Sequence, residues 1–98
     1  MLVRIVRMSF HESDVTSFLS LFHDSSDLIR AVSGCNHLEL WQDVDQPHVM
    51  TTYSLWDSVE ALDAYRESEL FRTTWETAKK YFCDSPVASS HTVKATLP

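Results

Sequence analysis

Apolar and polar residues alternate from the start of the chain, with Val3, Ile5, Val6, Met8 and Phe10 separated by Arg4 and Arg7. A short run this rich in β-branched residues predicts a strand from Leu2 to Phe10. The period then changes. Val15, Phe18, Leu19 and Phe22 recur at i, i+3, i+4 and i+7, one face of a helix, with Ser13 placed to cap its first turn and Asp14 beside the free amides. Asp24-Ser25-Ser26-Asp27 lowers helix propensity before Leu28, Ile29 and Val32 resume the stripe, which predicts a kink or restart. Gly34, the only glycine, stands where a left-handed helix C-cap is needed.

Alternation returns between Cys35 and Asp43, setting Leu38 and Leu40 on one strand face and His37, Glu39 and Trp41 on the other. Asp45-Gln46-Pro47 supplies a turn, and Val49–Trp56 follows as the second arm of an antiparallel hairpin. Asp57 and Glu60 match a capping box opening a helix through Val59, Leu62 and Tyr65. Ser68 caps a further segment in which Phe71, Trp75, Ala78 and Phe82 share a face and which stops before Pro86; Val87–Leu97 alternates as a last strand. The order β-α-β-β-α-β predicts an α+β, ferredoxin-like domain with a four-stranded antiparallel sheet, occupying residues 1–98 as one unit. Both crossovers then cover one sheet face, yet the third strand is apolar on both. A second copy covering the other face, a homodimer, is the expected solution.

With 44% hydrophobic and 22% charged residues the chain reads as globular, and a net charge of −6 with scattered Lys and Arg argues against nucleic acid or an anionic membrane as partner. No apolar run spans a bilayer and no signal-like segment opens the chain, so a cytoplasmic location is expected. Cys35 and Cys83 have no CxxC spacing and are expected reduced; no metal site is expected from the five histidines. A single glycine excludes phosphate-cradling loops, so no nucleotide cofactor is expected.

Several residues could carry chemistry. Trp56, closing a strand before a capped helix, reads either as a core or interface anchor or as a surface on which a ligand stacks. Phe71 and Trp75 read as core residues that also roof any cavity over the sheet, and the Tyr65 hydroxyl could donate to a ligand. His37 and His91 are proton acceptors if they face the cavity and sheet-surface residues if they do not. Arg66 and Arg72 straddle the helix break.

The stretch Gly34–Trp75 resembles the antibiotic biosynthesis monooxygenase family, with Gly34, Leu38, Glu39, Leu40 and Pro47 followed by Tyr53-x-x-Trp56-x-Ser58-x-Glu60-Ala61-Leu62 and Ser68-x-x-Phe71. That resemblance implies a dimeric α/β-barrel. It also implies a cofactor-independent monooxygenase acting on a small aromatic, quinol or polyketide-like substrate. Trp56 matches the family's strand Trp and Arg72 its helix Arg, while Thr52 stands in place of the Asn that binds substrate oxygen. Trp75 occupies the position of the haem-ligating His found in haem-degrading members, which argues against haem. On that resemblance Trp56, Arg72 and Thr52 are the expected catalytic residues, and from their places on strands and helices His37, Tyr65, Phe71, Trp75 and His91 are expected around the substrate. The rival readings are a non-catalytic dimeric ligand-binding or stress-response module and a purely structural interaction domain.

Overall fold

In the computed structural model, which describes residues 1–98, the chain runs β1 (Leu2–Ser9), a single 3-10 turn (Glu12–Asp14), α1 (Val15–Arg30), β2 (Cys35–Gln42), β3 (Val49–Trp56), α2 (Val59–Arg66), α3 (Glu69–Lys79) and β4 (Val87–Thr92). The four strands form one antiparallel sheet in the order β2-β3-β1-β4. The predicted α+β, ferredoxin-like class is the one observed.

Local chemistry explains most element boundaries. Ser58 rather than Asp57 caps α2, accepting the Ala61 amide, while the Asp57 carboxylate takes the Asn36 side-chain amide. Ser68 caps α3 as expected, through the Phe71 amide. Helix α1 does not restart but runs unbroken from Val15 to Arg30: Ser25 is buried in its middle and donates back to the Leu21 carbonyl, so its hydroxyl is satisfied without breaking the ladder. Ser13 makes no cap, because the 3-10 turn supplies the entry instead. Gly34 does adopt a left-handed φ of +86°, but at the entry to β2 and not as the cap of α1, whose C-cap is Ala31. Its missing side chain is required there, since a Cβ would lie 2.6 Å from that of Ala61. The last strand ends at Thr92, five residues short of the predicted Leu97.

Register divides the side chains between two faces. Leu2↔Trp56, Arg4↔Ser54, Val6↔Thr52 and Met8↔Met50 are opposed pairs, so these eight share the face covered by the helices. A bulge at Asn36 lets Cys35 join that face although His37 does not. Two clusters form the core: Met8, Phe10, Phe18, Met50 and Ala78 at one end, and Leu2, Cys35, Trp56 and Leu62 at the other. The opposite face presents Val3, Ile5, Tyr53, Leu55, His37 and Trp41, with Trp41 stacked on Tyr53 at 5.1 Å and still 44% exposed. No helix is long and apolar enough to cross a membrane.

Candidate functional site

A cavity of about 300 Å³ lies between the two core clusters, on the helix-covered face. Its origin is visible in the strand pairing. The end rows Leu2–Trp56 and Met8–Met50 are large, whereas in the middle rows Val6, Thr52 and Ser54, alongside the longer Arg4, have short side chains that leave space beneath the helices. Phe18, Phe22 and Ile29 of α1, Leu62 and Tyr65 of α2, and Phe71, Trp75 and Ala78 of α3 roof this floor. Thirteen of the nineteen lining residues are hydrophobic, the composition expected of a small-ligand pocket with few orienting polar groups.

The aromatic wall is continuous. Trp56 stacks on Tyr65 at 5.0 Å, Tyr65 meets Phe71 edge-on at 5.3 Å, and Phe71 stacks on Trp75 at 5.6 Å. Trp56 is only 1% exposed, and its indole N–H donates to the Ser54 hydroxyl at 2.9 Å. It is therefore a core anchor that also lines the cavity. Burial, with a smaller contribution from nearby Cys35, pushes the Tyr65 hydroxyl up to about 12, so Tyr65 stays protonated and its O–H is available to donate. Burial also raises the Cys35 thiol, against a backbone hydrogen bond at His37 and the nearby Arg30 charge.

Of the residues singled out in the sequence, Trp56, Thr52, Tyr65, Phe71 and Trp75 are brought together around the cavity. Arg72, His37 and His91 are not. Arg72 lies on the exposed side of α3 beside Glu69, because α3 turns its Phe71–Trp75–Ala78 stripe inward and position 72 falls outside that stripe. His37 pairs with Leu55 and His91 with Val3, which places both on the opposite sheet face. There His37 bonds Glu39, and His91 bonds Ser89. The Glu39 carboxylate is held below its usual range by hydrogen bonds from His37 and then Trp41.

Sequence reasoning gave Arg66 no role and passed over Arg4. Both line the cavity. Arg4 projects from the centre of β1 and donates to the Ser90 hydroxyl at 3.0 Å; desolvation and then the nearby Arg66 charge lower its pKa, against the opposing pull of Asp63. A charged residue at an inward-facing strand position was the available signal. No Asp, Glu, His, Lys or Cys lines the cavity, and no three such groups anywhere are placed to hold a metal ion.

The sequence profile described as antibiotic biosynthesis monooxygenase matches residues 1–77. Among solved structures, an antibiotic biosynthesis monooxygenase superposes with a TM-score of 0.91 at 17% identity, covering 97% of this chain and 100% of the other. A conserved protein from Methanosarcina mazei Go1 gives 0.90 at 17% identity over 96% and 94% of the two chains. SnoaB, a cofactor-independent oxygenase from Streptomyces nogalater solved as a mutant, gives 0.88 at 15% identity over 99% and 96%. At these identities the likeness to solved structures concerns the fold alone. No curated protein matches the chain.

Proposed function

Because this chain belongs to the antibiotic biosynthesis monooxygenase family, we propose that it is a cofactor-independent oxygenase whose substrate is a small aromatic, quinol or polyketide-like molecule bound in the Trp56 cavity. The observation that carries the reading is an aromatic-walled cavity beneath the helices on the sheet face, lined by no Asp, Glu, His, Lys or Cys. Such a site can orient a flat molecule and exclude water, and the substrate itself must supply the electrons.

For an activated ring methylene the steps balance as follows. A proton leaves to solvent, giving a carbanion delocalised onto a ring oxygen. That anion transfers electrons to dioxygen and a C–O bond forms. The peroxide anion takes a proton back from solvent, and loss of the remaining C–H hydrogen as the O–O bond breaks completes the conversion of CH2 and O2 to C=O and water. In this scheme Trp56 delimits the ring, Thr52 donates its hydroxyl to the ring oxygen in place of the family's Asn, and protonated Tyr65 offers a second donor. Phe71 and Trp75 hold the other faces.

The working unit in this proposal is a homodimer. The half-buried apolar and aromatic residues Val3, Ile5, Tyr53 and Leu55 on the uncovered sheet face support it. Sedimentation giving a monomer at micromolar concentration would remove it.

Oxygen consumption with a panel of hydroquinones and anthrone-like phenols, for wild type, Thr52→Val and Trp56→Phe, tests the chemistry. Wild-type turnover that falls at least about tenfold in Thr52→Val is expected. Equal rates in all three proteins sink the assignment. Ligand-induced thermal stabilisation without oxygen uptake selects the non-catalytic binding module instead.

A further inference from the structure

We propose that the cavity takes an aromatic acid, with the ring system among the aromatic walls and the carboxylate held at the mouth by Arg4 and Arg66. This rests on the reading of the cavity as a small-molecule site and adds the chemical class of its occupant.

The charge distribution carries the argument. The chain has fourteen acidic and eight basic residues, yet two of those eight line the cavity and none of the fourteen does. The ion pairs of the fold are His37–Glu39, Arg72–Glu69 and Lys79–Glu76, so neither Arg4 nor Arg66 is spent on one. The Ser90 hydroxyl occupies one of the five guanidinium N–H groups of Arg4. Arg66 ends α2 and is exposed, as is Ala88 on β4, and these two mark where the cavity opens to solvent. Two like charges thus share the rim of an apolar space, and Arg66 disfavours the charged form of Arg4. A carboxylate between them relieves that repulsion and accepts from both guanidinium forks, while its ring replaces water against Trp56 and Phe71. A neutral ligand would leave the repulsion between the two cations offset only by the pull of Asp63 on Arg4.

The test is calorimetric titration of 2-naphthoate and the neutral 2-naphthamide, which lack the activated methylene or phenol that the proposed reaction needs, so the result does not depend on oxygenase activity. Wild type is expected to bind the acid at least about tenfold more tightly than the amide, with the preference falling as salt rises. Arg4→Gln and Arg66→Gln are expected to shrink that preference to about threefold or less, whereas Lys79→Gln, the same charge change at an ion-paired residue outside the cavity lining, leaves it intact. Arg66 is exposed, so its variant keeps the test valid should Arg4→Gln fold poorly. Equal affinity for acid and amide, or a preference that survives both arginine variants, overturns the proposal while leaving an aromatic site standing. Failure of both probes to bind overturns the cavity reading and this proposal together.

Discussion

Trp56 joins stability to the site, and the Trp56–Ser54 pair allows the two parts of its role to be measured. In Trp56→Phe a phenyl ring remains against Tyr65, but the indole N–H and its 2.9 Å bond to Ser54 are lost. Complete removal of a buried aromatic costs about 3–5 kcal/mol, so losing the smaller part of an almost fully enclosed ring costs about 1–2 kcal/mol. The buried Ser54 hydroxyl, deprived of its donor, adds about 1 kcal/mol. The expected total is about 2–3 kcal/mol, or a melting point lower by about 10–20 °C for a domain of this size. Ser54→Ala strands the indole N–H in turn and costs about 1–3 kcal/mol. The double variant removes donor and acceptor together, so it should be more stable than the sum of the singles by about 1 kcal/mol. Urea denaturation of the four proteins measures this coupling. Additive single effects would refute the hydrogen bond as a contributor, and a Trp56→Phe cost under about 0.5 kcal/mol would refute the close packing of the indole.

Three further outcomes are expected. Gly34→Ala should destabilise by about 2–4 kcal/mol in urea, combining left-handed backbone strain with the 2.6 Å approach to Ala61; a neutral effect would contradict that packing. Tyr65 keeps its proton to about pH 12 when folded and loses it near pH 10 when unfolded, so between those values the folded state binds more protons. Its contribution is therefore complete below pH 10 and lost as pH rises to 12, by up to about 2–3 kcal/mol, and Tyr65→Phe should show a flatter alkaline decline. His37→Ala, His91→Ala and Arg72→Gln should each leave 2-naphthoate affinity within about twofold, because all three lie outside the cavity; a tenfold loss in any one would place that residue in the site after all.

The fold was legible because each of its determinants is local. Period-2 runs at Leu2–Ser9, Cys35–Gln42 and Val49–Trp56, the cap at Ser68 and the helical stripe Phe71–Trp75–Ala78 carry their meaning within a few residues. The misjudged boundaries have local competitors that the pattern does not rank: Ser58 displaced Asp57 as the cap while Asn36 holds the Asp57 carboxylate, and the buried Ser25 satisfies its hydroxyl on the Leu21 carbonyl inside an unbroken α1. The site was legible only in part. Trp56, Thr52, Tyr65, Phe71 and Trp75 were identified by type and by resemblance, but His37 and His91 were grouped with them although strand parity sends both to the other face.

The chain's own pattern determined the number, order and kind of its elements, and which residues share a face of each, because helix and strand periods are properties of neighbouring residues. Tertiary structure decided what those faces meet. Pairing Leu2 with Trp56 and Met8 with Met50 put bulk at the ends of the sheet and left Thr52 and Ser54 in the middle, which opens the cavity. The same packing brought Arg4 to Arg66, sixty-two positions away in sequence, and turned Arg72 outward. A cavity and its charge depend on register and on the angle at which helices cross the sheet, and both are set by long-range packing that no local pattern encodes.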